Sequence, residues 1–246
     1  MSKKSILILG AKSDIGLAIA HRFAKEGFSI QLAGREIVKL KRDVQDIKLK
    51  YTNTKITCHE FNILNFELYD AFIRDLPNLP SIVVSVVGYM GRQSDNEKDF
   101  QLATKVIRTN FEGPSKIFLK FANYFEKRGS GMLIGISSVA GERGRAKNYI
   151  YGSSKSGFTS FLSGLRNQMT KKGIHIITVI PGYVTTKMTR GMKLPKLLTA
   201  KPKEVADAIF NAVEKKQDII YIKSIWYFIM LFIRNIPEII FKKLKL

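Results

Sequence analysis

The sequence has few of the residues that build cross-links, metal sites or membrane spans. A single cysteine, Cys58, excludes a disulfide within the chain. The three histidines, His21, His59 and His175, are scattered without a chelating interval, so we predict no metal site. The first apolar run, residues 5–9, is too short for a signal peptide, and no stretch reaches the roughly 18 apolar residues of a spanning helix. We therefore expect a cytoplasmic protein.

Acidic residues are also scarce. The chain has 20 Asp and Glu against 41 Lys and Arg, a formal net charge of +21, which favours an anionic partner. The lysines are spread along the whole chain with no basic stripe interleaved with aromatics, so we predict no nucleic-acid binding. An anionic membrane surface or a phosphorylated substrate fits this charge better.

Apolar runs of strand length alternate with helical patterns along the chain. In the helical segments 15–27 and 155–173, apolar residues recur three and four positions apart. This alternation predicts an α/β fold, a doubly wound parallel sheet of the Rossmann type, in which ligands bind at the carboxyl ends of the strands. We assign residues 1–222 to this one domain and 223–246 to an amphipathic tail. The predicted strands are residues 5–10, 29–34, 55–61, 81–88, 131–138, 174–180 and 218–222.

A glycine turn, GAKSDIG, follows the first predicted strand. Gly10 and Gly16 would let the backbone turn sharply and approach a pyrophosphate at the start of the next helix. A tight turn without a ligand is the alternative. The second strand is followed by Arg35, where an NAD site would carry an acidic residue. Arg35 and Lys12 match a 2′-phosphate and favour NADP(H), although Arg35 could also be a surface residue beside a helix start at Glu36.

Tyr151 and Lys155 lie four positions apart at the predicted start of a helix. They would share one helical face, with the ammonium beside the phenol. A neighbouring cation lowers the pKa of a phenol from its ordinary value of about 10, which suits proton transfer near neutral pH. Such a pair also occurs by chance on amphipathic helices, so the rest of the chain must decide.

Together these motifs resemble the short-chain dehydrogenase/reductase family over nearly the full length. The resemblance implies a catalytic set in which Tyr151 donates a proton, Ser138 binds the carbonyl oxygen, Lys155 supports both, and Asn110 holds a water. It also implies a cofactor site of the residues Gly10, Lys12, Ser13, Asp14, Ile15, Gly16, Arg35, Asn62, Ile63, Val87, Gly88, Tyr151, Lys155, Pro181, Gly182, Val184 and Thr186.

The chain departs from the family pattern in two places. Asp14 replaces the middle glycine of the turn, where we expect the helix dipole to tolerate an acid. The segment 85–88 reads Ser-Val-Val-Gly instead of Asn-Asn-Ala-Gly, which removes polar side chains near the cofactor ribose. With GERGRAKNYIY before Lys155, these features are similar to the subgroup around decaprenylphosphoryl-2-keto-erythro-pentose reductase. That similarity implies reduction of a keto-sugar carried on a polyprenyl phosphate.

Two later segments bear on the substrate. Residues 186–198 alternate cations with methionines and leucines, which predicts a mobile lid over an anionic, apolar ligand, or a solvated loop with a few core anchors. The tail at 223–246 carries an apolar run too short to span a bilayer, followed by lysines. It predicts peripheral contact with the inner face of the membrane, or packing within the protein or a dimer.

Other readings stay open. The same residues would reduce acyl, steroid-like or other small ketones, and a non-catalytic NADP(H)-binding regulator would keep the fold without turnover. By the resemblance, helices around residues 97–126 and 152–172 predict a homodimer or homotetramer.

Overall fold

The structure is a computed structural model that describes residues 4–244. Residues 1–3 of the predicted domain and residues 245–246 of the predicted tail lie outside the described residues. It confirms a parallel sheet of seven strands in the order β3-β2-β1-β4-β5-β6-β9, beside a two-stranded ribbon, β7-β8. The strands are β1 (Ser5–Leu9), β2 (Ser29–Gly34), β3 (Ile56–Glu60), β4 (Ile82–Ser85), β5 (Gly131–Ile136), β6 (Ile174–Pro181), β7 (Tyr183–Val184), β8 (Thr199–Ala200) and β9 (Ile219–Ile222).

Helices cover both faces of the sheet, and several begin or end at residues that explain their bounds. Ser13 caps α1, a proline stands in the first turn of α6 and of α8, and Gly129 ends α6 in a left-handed conformation. The helices are α1 (Asp14–Lys25), α2 (Lys41–Lys50), α3 (Tyr69–Arg74), α4 (Gln93–Lys98), α5 (Phe100–Ile107), α6 (Gly113–Arg128), α7 (Tyr149–Met169), α8 (Pro202–Glu214), α9 (Ile225–Asn235) and α10 (Glu238–Phe241).

The central strands are mostly apolar because both of their faces are buried. In β1, Ile6 and Ile8 face one core and Leu7 and Leu9 face the other, and all four are fully buried. The chain runs from β1 outward through β2 and β3, and then crosses to β4 on the other side of β1. The carboxyl ends of β1 and β4 therefore border the crevice where such sheets bind ligands.

The helical segments differ from their predicted bounds. The stretch predicted at 97–126 is interrupted at Asp99 and again by a π-helical turn, Arg108–Glu112, between α5 and α6. At the first interruption Asp99 has an extended backbone and its side chain caps α5, so α4 and α5 are separate helices. The segment 186–198, predicted as a lid or a solvated loop, contains two short 3₁₀ turns, Lys187–Thr189 and Lys196–Leu198.

The tail packs one side on the domain. Trp226 and Met230 of α9 are 4% and 0% exposed and contact Val139 and Ile180 in a small third core. Helix α10 follows after Pro237. Within residues 4–244, no helix has both the length and the apolar character needed to cross a bilayer.

Candidate active site

The glycine turn is fixed by contacts that leave no room for side chains. Gly10 has φ of +88°, and a Cβ there would lie 3.0 Å from the backbone nitrogen of Val87. A Cβ at Gly16 would lie 2.9 Å from the Gly10 carbonyl oxygen. Ser13 accepts from the Gly16 N–H at 3.0 Å and donates to the Gly10 carbonyl at 2.9 Å. The turn thus places bare backbone at the N-terminus of α1, where the helix dipole favours negative charge.

Asp14 ties this turn to the segment over the cleft. It is the first residue of α1, where the helix dipole favours an acid, as the sequence predicts. Its carboxylate accepts a hydrogen bond from the backbone N–H of Lys187 at 2.7 Å. The departure from glycine therefore has a local structural reason that sequence spacing could not show, because 173 residues separate the partners.

The two predicted phosphate cations lie near the end of β2. Arg35 is exposed directly after the strand, while the Lys12 ammonium pairs with the Glu36 carboxylate at 2.8 Å. Hydrogen bonds from Lys12 and then Lys39 lower the pKa of Glu36 to about 2. Glu36 has a left-handed backbone, and its N–H donates to Glu60 at 2.8 Å. Lys12 therefore already has an acidic partner at this edge, whereas Arg35 is exposed.

Ser138 and Tyr151 are brought together by two glycines. A Cβ at Gly152 would lie 2.6 Å from the Ala140 carbonyl oxygen, and one at Gly141 would lie 2.7 Å from the Ser156 nitrogen. The loop after β5 can therefore rest directly on the first turns of α7. Ser138 accepts from the Ala140 N–H at 3.1 Å, and it is hydrogen-bonded with the Tyr151 phenol.

Burial controls the charges of Tyr151 and Lys155. It raises the pKa of Tyr151 to about 12, with the Ser138 hydrogen bond acting in the opposite direction. It lowers the pKa of Lys155 to about 8. The expected lowering of the Tyr151 pKa by Lys155 is thus wrong for this structure, because desolvation of the phenol dominates. The Lys155 Nζ instead donates to the Ile136 carbonyl at 2.9 Å and lies 5.8 Å from the Tyr151 ring centre.

Asn110 lies fully buried in the π-helical turn, a feature that often marks functional sites. Its amide nitrogen donates to the carbonyls of Tyr89 (2.5 Å) and Val106 (2.8 Å), and its oxygen accepts from the Tyr89 N–H at 3.2 Å. A Cβ added at Gly88 would lie 3.3 Å from the Asn110 side-chain oxygen and 3.9 Å from the Lys155 Nζ. Asn110 and Lys155 therefore flank Gly88, and the amide oxygen can accept one more hydrogen bond.

A cavity of about 500 Å³ joins the glycine turn to the Ser138 loop and α7. Twelve of the predicted residues line it, namely Ser13, Asp14, Ile15, Val87, Gly88, Ser138, Tyr151, Lys155, Pro181, Gly182, Val184 and Thr186. The others lie outside this lining, namely Gly10, Lys12, Gly16, Arg35, Asn62, Ile63 and Asn110. Segment 186–198 contributes to this cavity and to a second one of about 780 Å³.

Asn62 and Ile63 form the turn that follows β3. The Asn62 side-chain oxygen accepts from the Leu64 N–H at 3.1 Å. Ile63 is buried, and its carbonyl accepts from the Tyr69 hydroxyl at 2.5 Å. Their contact with an adenine stays a prediction, because the side chain of Asn62 and the carbonyl of Ile63 serve local structure here.

Sequence reasoning missed part of the cavity wall, including Arg145, Asn148, Tyr183 and Trp226. Trp226 lies against Gly182 so closely that a Cβ there would be 2.0 Å from the indole ring, and its Nε1 donates to the Leu198 carbonyl at 3.0 Å. The sequence signal for this contact was the one tryptophan of the chain, which lies at the start of the apolar run in the tail.

Comparison with known proteins gives consistent matches. The family model described as short chain dehydrogenase matches residues 4–196. An uncharacterized oxidoreductase of Streptomyces coelicolor is 29% identical, covering 98% of this chain and 96% of its own. A ketoacyl reductase of Nostoc is 26% identical over 88% of this chain and 77% of its own. A short-chain dehydrogenase of Sphingobium yanoikuyae, solved in complex with NADPH, superposes with a TM-score of 0.82 at 19% identity, covering 96% of this chain and 97% of that one. By fold, by site geometry and by the match to its family model, the chain belongs to the short-chain dehydrogenase family.

Proposed function

We propose that the protein is an NADP(H)-dependent reductase that converts a ketone to a secondary alcohol. One observation carries this proposal: Ser138, Tyr151 and Lys155 line the same cavity as Ser13 and Asp14 of the glycine turn. A proton donor, an oxygen-binding hydroxyl and a buried cation thus lie beside a site suited to a pyrophosphate.

The residues of the cleft fit this cofactor. Added Cβ atoms at Gly10 and Gly16 would meet backbone within about 3 Å, so the turn keeps its bare backbone close to where a pyrophosphate would bind. Arg35 is exposed at the end of β2, where it would hold a 2′-phosphate together with Lys12. A 2′-phosphate would compete with Glu36 for Lys12. The solved neighbours from Sphingobium yanoikuyae and Burkholderia cenocepacia contain NADPH and NADP respectively.

The placement of these residues around one cavity supports the following catalytic roles. NADPH, when bound by the glycine turn, would supply the hydride for the carbonyl carbon. The Ser138 hydroxyl donates a hydrogen bond to the carbonyl oxygen and fixes its position beside the phenol. Tyr151 donates its proton to that oxygen as negative charge develops there, since its raised pKa keeps it protonated at neutral pH. Lys155 supplies positive charge beside Tyr151 and would hold the nicotinamide ribose, and Asn110 positions the backbone at Tyr89.

The cavity wall favours a large substrate with both apolar and anionic parts. Met188, Met192 and Trp226 line one side, while Arg145 and Lys147 supply cations. A keto-sugar on a polyprenyl phosphate fits this combination and is our candidate substrate. A ketoacyl substrate is the second candidate, favoured by the relative from Nostoc.

The test is oxidation of NADPH and of NADH by the purified protein over a panel of ketones, including a polyprenyl-phosphoryl ketopentose, a ketoacyl thioester and simple water-soluble ketones. We expect NADPH to be consumed in preference to NADH, and the anionic lipid-linked ketone to give the highest kcat/KM. Binding of NADPH without turnover of any ketone would instead favour a non-catalytic regulator.

Replacing one phenol hydroxyl tests the catalytic site. We expect Tyr151→Phe to reduce kcat by about 10²- to 10⁴-fold with little change in NADPH affinity, because it removes only the proton donor. Tyr149→Phe is the matched control, since Tyr149 is 44% exposed and lies outside the cavity lining. Comparable activity of the Tyr151→Phe variant and wild type would remove Tyr151 from the mechanism.

A further inference from the structure

Helix α9 has two apolar sides, and only one of them is covered by the domain. Its inner side, Trp226 and Met230, is buried against Val139 and Ile180. Its outer side carries large apolar residues that face solvent, and the following helix α10 carries two more. We define the tail face as Tyr227 (45% exposed), Phe228 (65%), Leu231 (42%), Phe232 (74%), Ile239 (68%) and Ile240 (52%). A contiguous exposed group of this kind on a soluble domain marks an interaction surface.

The surroundings of the tail face are positively charged. From residue 223 to 244 the sequence contains one acid, Glu238, and its carboxylate pairs with Arg143 at 2.5 Å. The cations of the same segment are Lys223, Arg234, Lys242 and Lys243. Lys223 and Arg234 each lie 3.9 Å from a carboxylate elsewhere in the fold, Glu204 and Glu142 respectively, so the segment and these two acids together still carry more positive than negative charge.

The lid segment 186–198 adds to this positive surface. It contains four cations and no acid. It lies beside the tail, since the Lys223 Nζ donates to the Leu197 carbonyl at 3.1 Å and the Trp226 Nε1 donates to the Leu198 carbonyl at 3.0 Å. Met192 and Leu197 of the lid are 46% and 75% exposed. Apolar residues rimmed by cations therefore extend from the tail across the lid.

We propose that the tail face and the lid dock the protein on an anionic lipid bilayer, with the apolar side chains in the interface and the cations on lipid head groups. This proposal rests on the reductase function in one respect, that the docked cavity receives a lipid-linked ketone. Helix α9 has 11 residues and is about 16 Å long, so it lies along the surface and does not cross the bilayer.

A second copy of the chain is a poorer occupant of this face. In a symmetric dimer the same patch meets itself, so the cations of tail and lid would confront like charges, since Glu238 is the one acid within residues 186–198 and 223–244. An anionic bilayer supplies the opposite charge over the whole patch. The exposed aromatic residues Tyr227, Phe228 and Phe232 also suit the head-group region of a membrane.

Docking would place the active site at the membrane. Trp226, on the inner side of α9, forms part of the wall of the 500 Å³ cavity. Met188 and Met192 of the lid line the same cavity. The part of the wall formed by Trp226 and the lid thus lies next to the docked surface. A lipid-linked substrate could then present its polar head to Tyr151 while its chain remains in the bilayer.

The test is flotation with vesicles of phosphatidylcholine alone and of phosphatidylcholine with 30% phosphatidylglycerol. We expect wild type to float with the anionic vesicles. The double variant Phe228→Glu/Phe232→Glu should bind these vesicles at least about tenfold more weakly than wild type. Leu49→Glu/Leu68→Glu is the matched control, because Leu49 and Leu68 are 81% and 58% exposed and lie away from the tail. It should float like wild type.

The outcomes of flotation, light scattering and NADPH oxidation distinguish membrane docking from a dimer interface and from loss of the reductase function. Wild type that stays with the unbound fraction, or a tail variant that floats as well as wild type, overturns the proposal. If light scattering shows that the tail variant dissociates a dimer while wild type does not float, the tail face is an interface between copies. NADPH oxidation with a water-soluble ketone, measured without vesicles, tests the reductase function separately, and we expect wild type and both double variants to match in that assay.

Discussion

Lys155 is a buried cation whose environment opposes its charge. It is 3% exposed, and burial lowers its pKa from 10.5 to about 8. Among residues 4–244 no carboxylate forms an ion pair with it, and its ammonium donates to the Ile136 carbonyl. A buried charge without a counterion costs stability, and such positions cluster at functional sites. A role of the ammonium in the reaction would explain why the chain keeps a charge that destabilises the fold.

Exchange of Lys155 for an uncharged residue should change the pH dependence of folding. The folded pKa lies below the unfolded value, so between pH 8 and 10.5 the unfolded chain binds more protons and the free energy of unfolding rises with pH. Over this interval the gain is about 3 kcal/mol. We expect urea unfolding of wild type between pH 7.5 and 10 to show this rise relative to Lys155→Met. If the free energies of unfolding of the two proteins changed with pH in the same way, the pKa of Lys155 would not be lowered in the folded protein.

Residue patterns predicted residues that the structure brings to one cavity, but they did not predict the electrostatics of that cavity. Spacing placed Tyr151 and Lys155 on one helix, and the structure brings both to the cavity with Ser138. The pKa of Tyr151 could not be read from that spacing, because burial raises it and depends on how the whole chain packs. The link from Asp14 to the Lys187 backbone likewise depends on contacts between distant segments.

At the scale of elements, strands were easier to predict than the segments that border the cleft. Apolar runs of strand length located the seven strands of the sheet, and the central ones are buried because parallel strands need both faces covered, whereas the edge strand β3 has no buried residue. The π-helical turn around Asn110 and the 3₁₀ turns of the lid have no comparable periodicity. The position of α9 against Gly182 depends on a fit between surfaces, which hydrophobic spacing alone does not describe.

The contact between Gly182 and α9 can be tested with one methyl group. A Cβ at Gly182 would lie 2.0 Å from the Trp226 ring, so Gly182→Ala should displace α9 and destabilise the protein by about 1–3 kcal/mol. Hydrogen exchange should then become faster in residues 225–235. In contrast, Gly164→Ala in α7 meets nothing within 4 Å and should stabilise the protein by about 0.5–1 kcal/mol. Unchanged exchange in α9 of the Gly182→Ala variant would contradict this packing.

At the scale of the whole molecule, the tail joins the active-site loop to the far edge of the sheet. Arg143, five residues after Ser138, donates to the Arg234 carbonyl at 3.0 Å and pairs with Glu238. Glu142 accepts from the Tyr221 hydroxyl on β9. The loop that carries Ser138 is therefore held by the tail on one side and by α7 on the other, which makes the tail part of the active-site architecture.

Deletion of the tail should therefore affect stability and turnover together. A chain ending at Ile222 loses Trp226 and Met230, each worth about 1.5–3 kcal/mol of burial, and opens the cavity wall. We expect urea unfolding to show a loss of several kcal/mol, and NADPH oxidation with a water-soluble ketone to fall. A chain ending at Asn235 keeps α9 and removes only α10 with the Arg143–Glu238 pair, so it should retain most of both properties, because an exposed pair contributes about 0–1 kcal/mol. If the two truncated chains behaved alike and like wild type, α9 would be an appendage rather than a wall of the site.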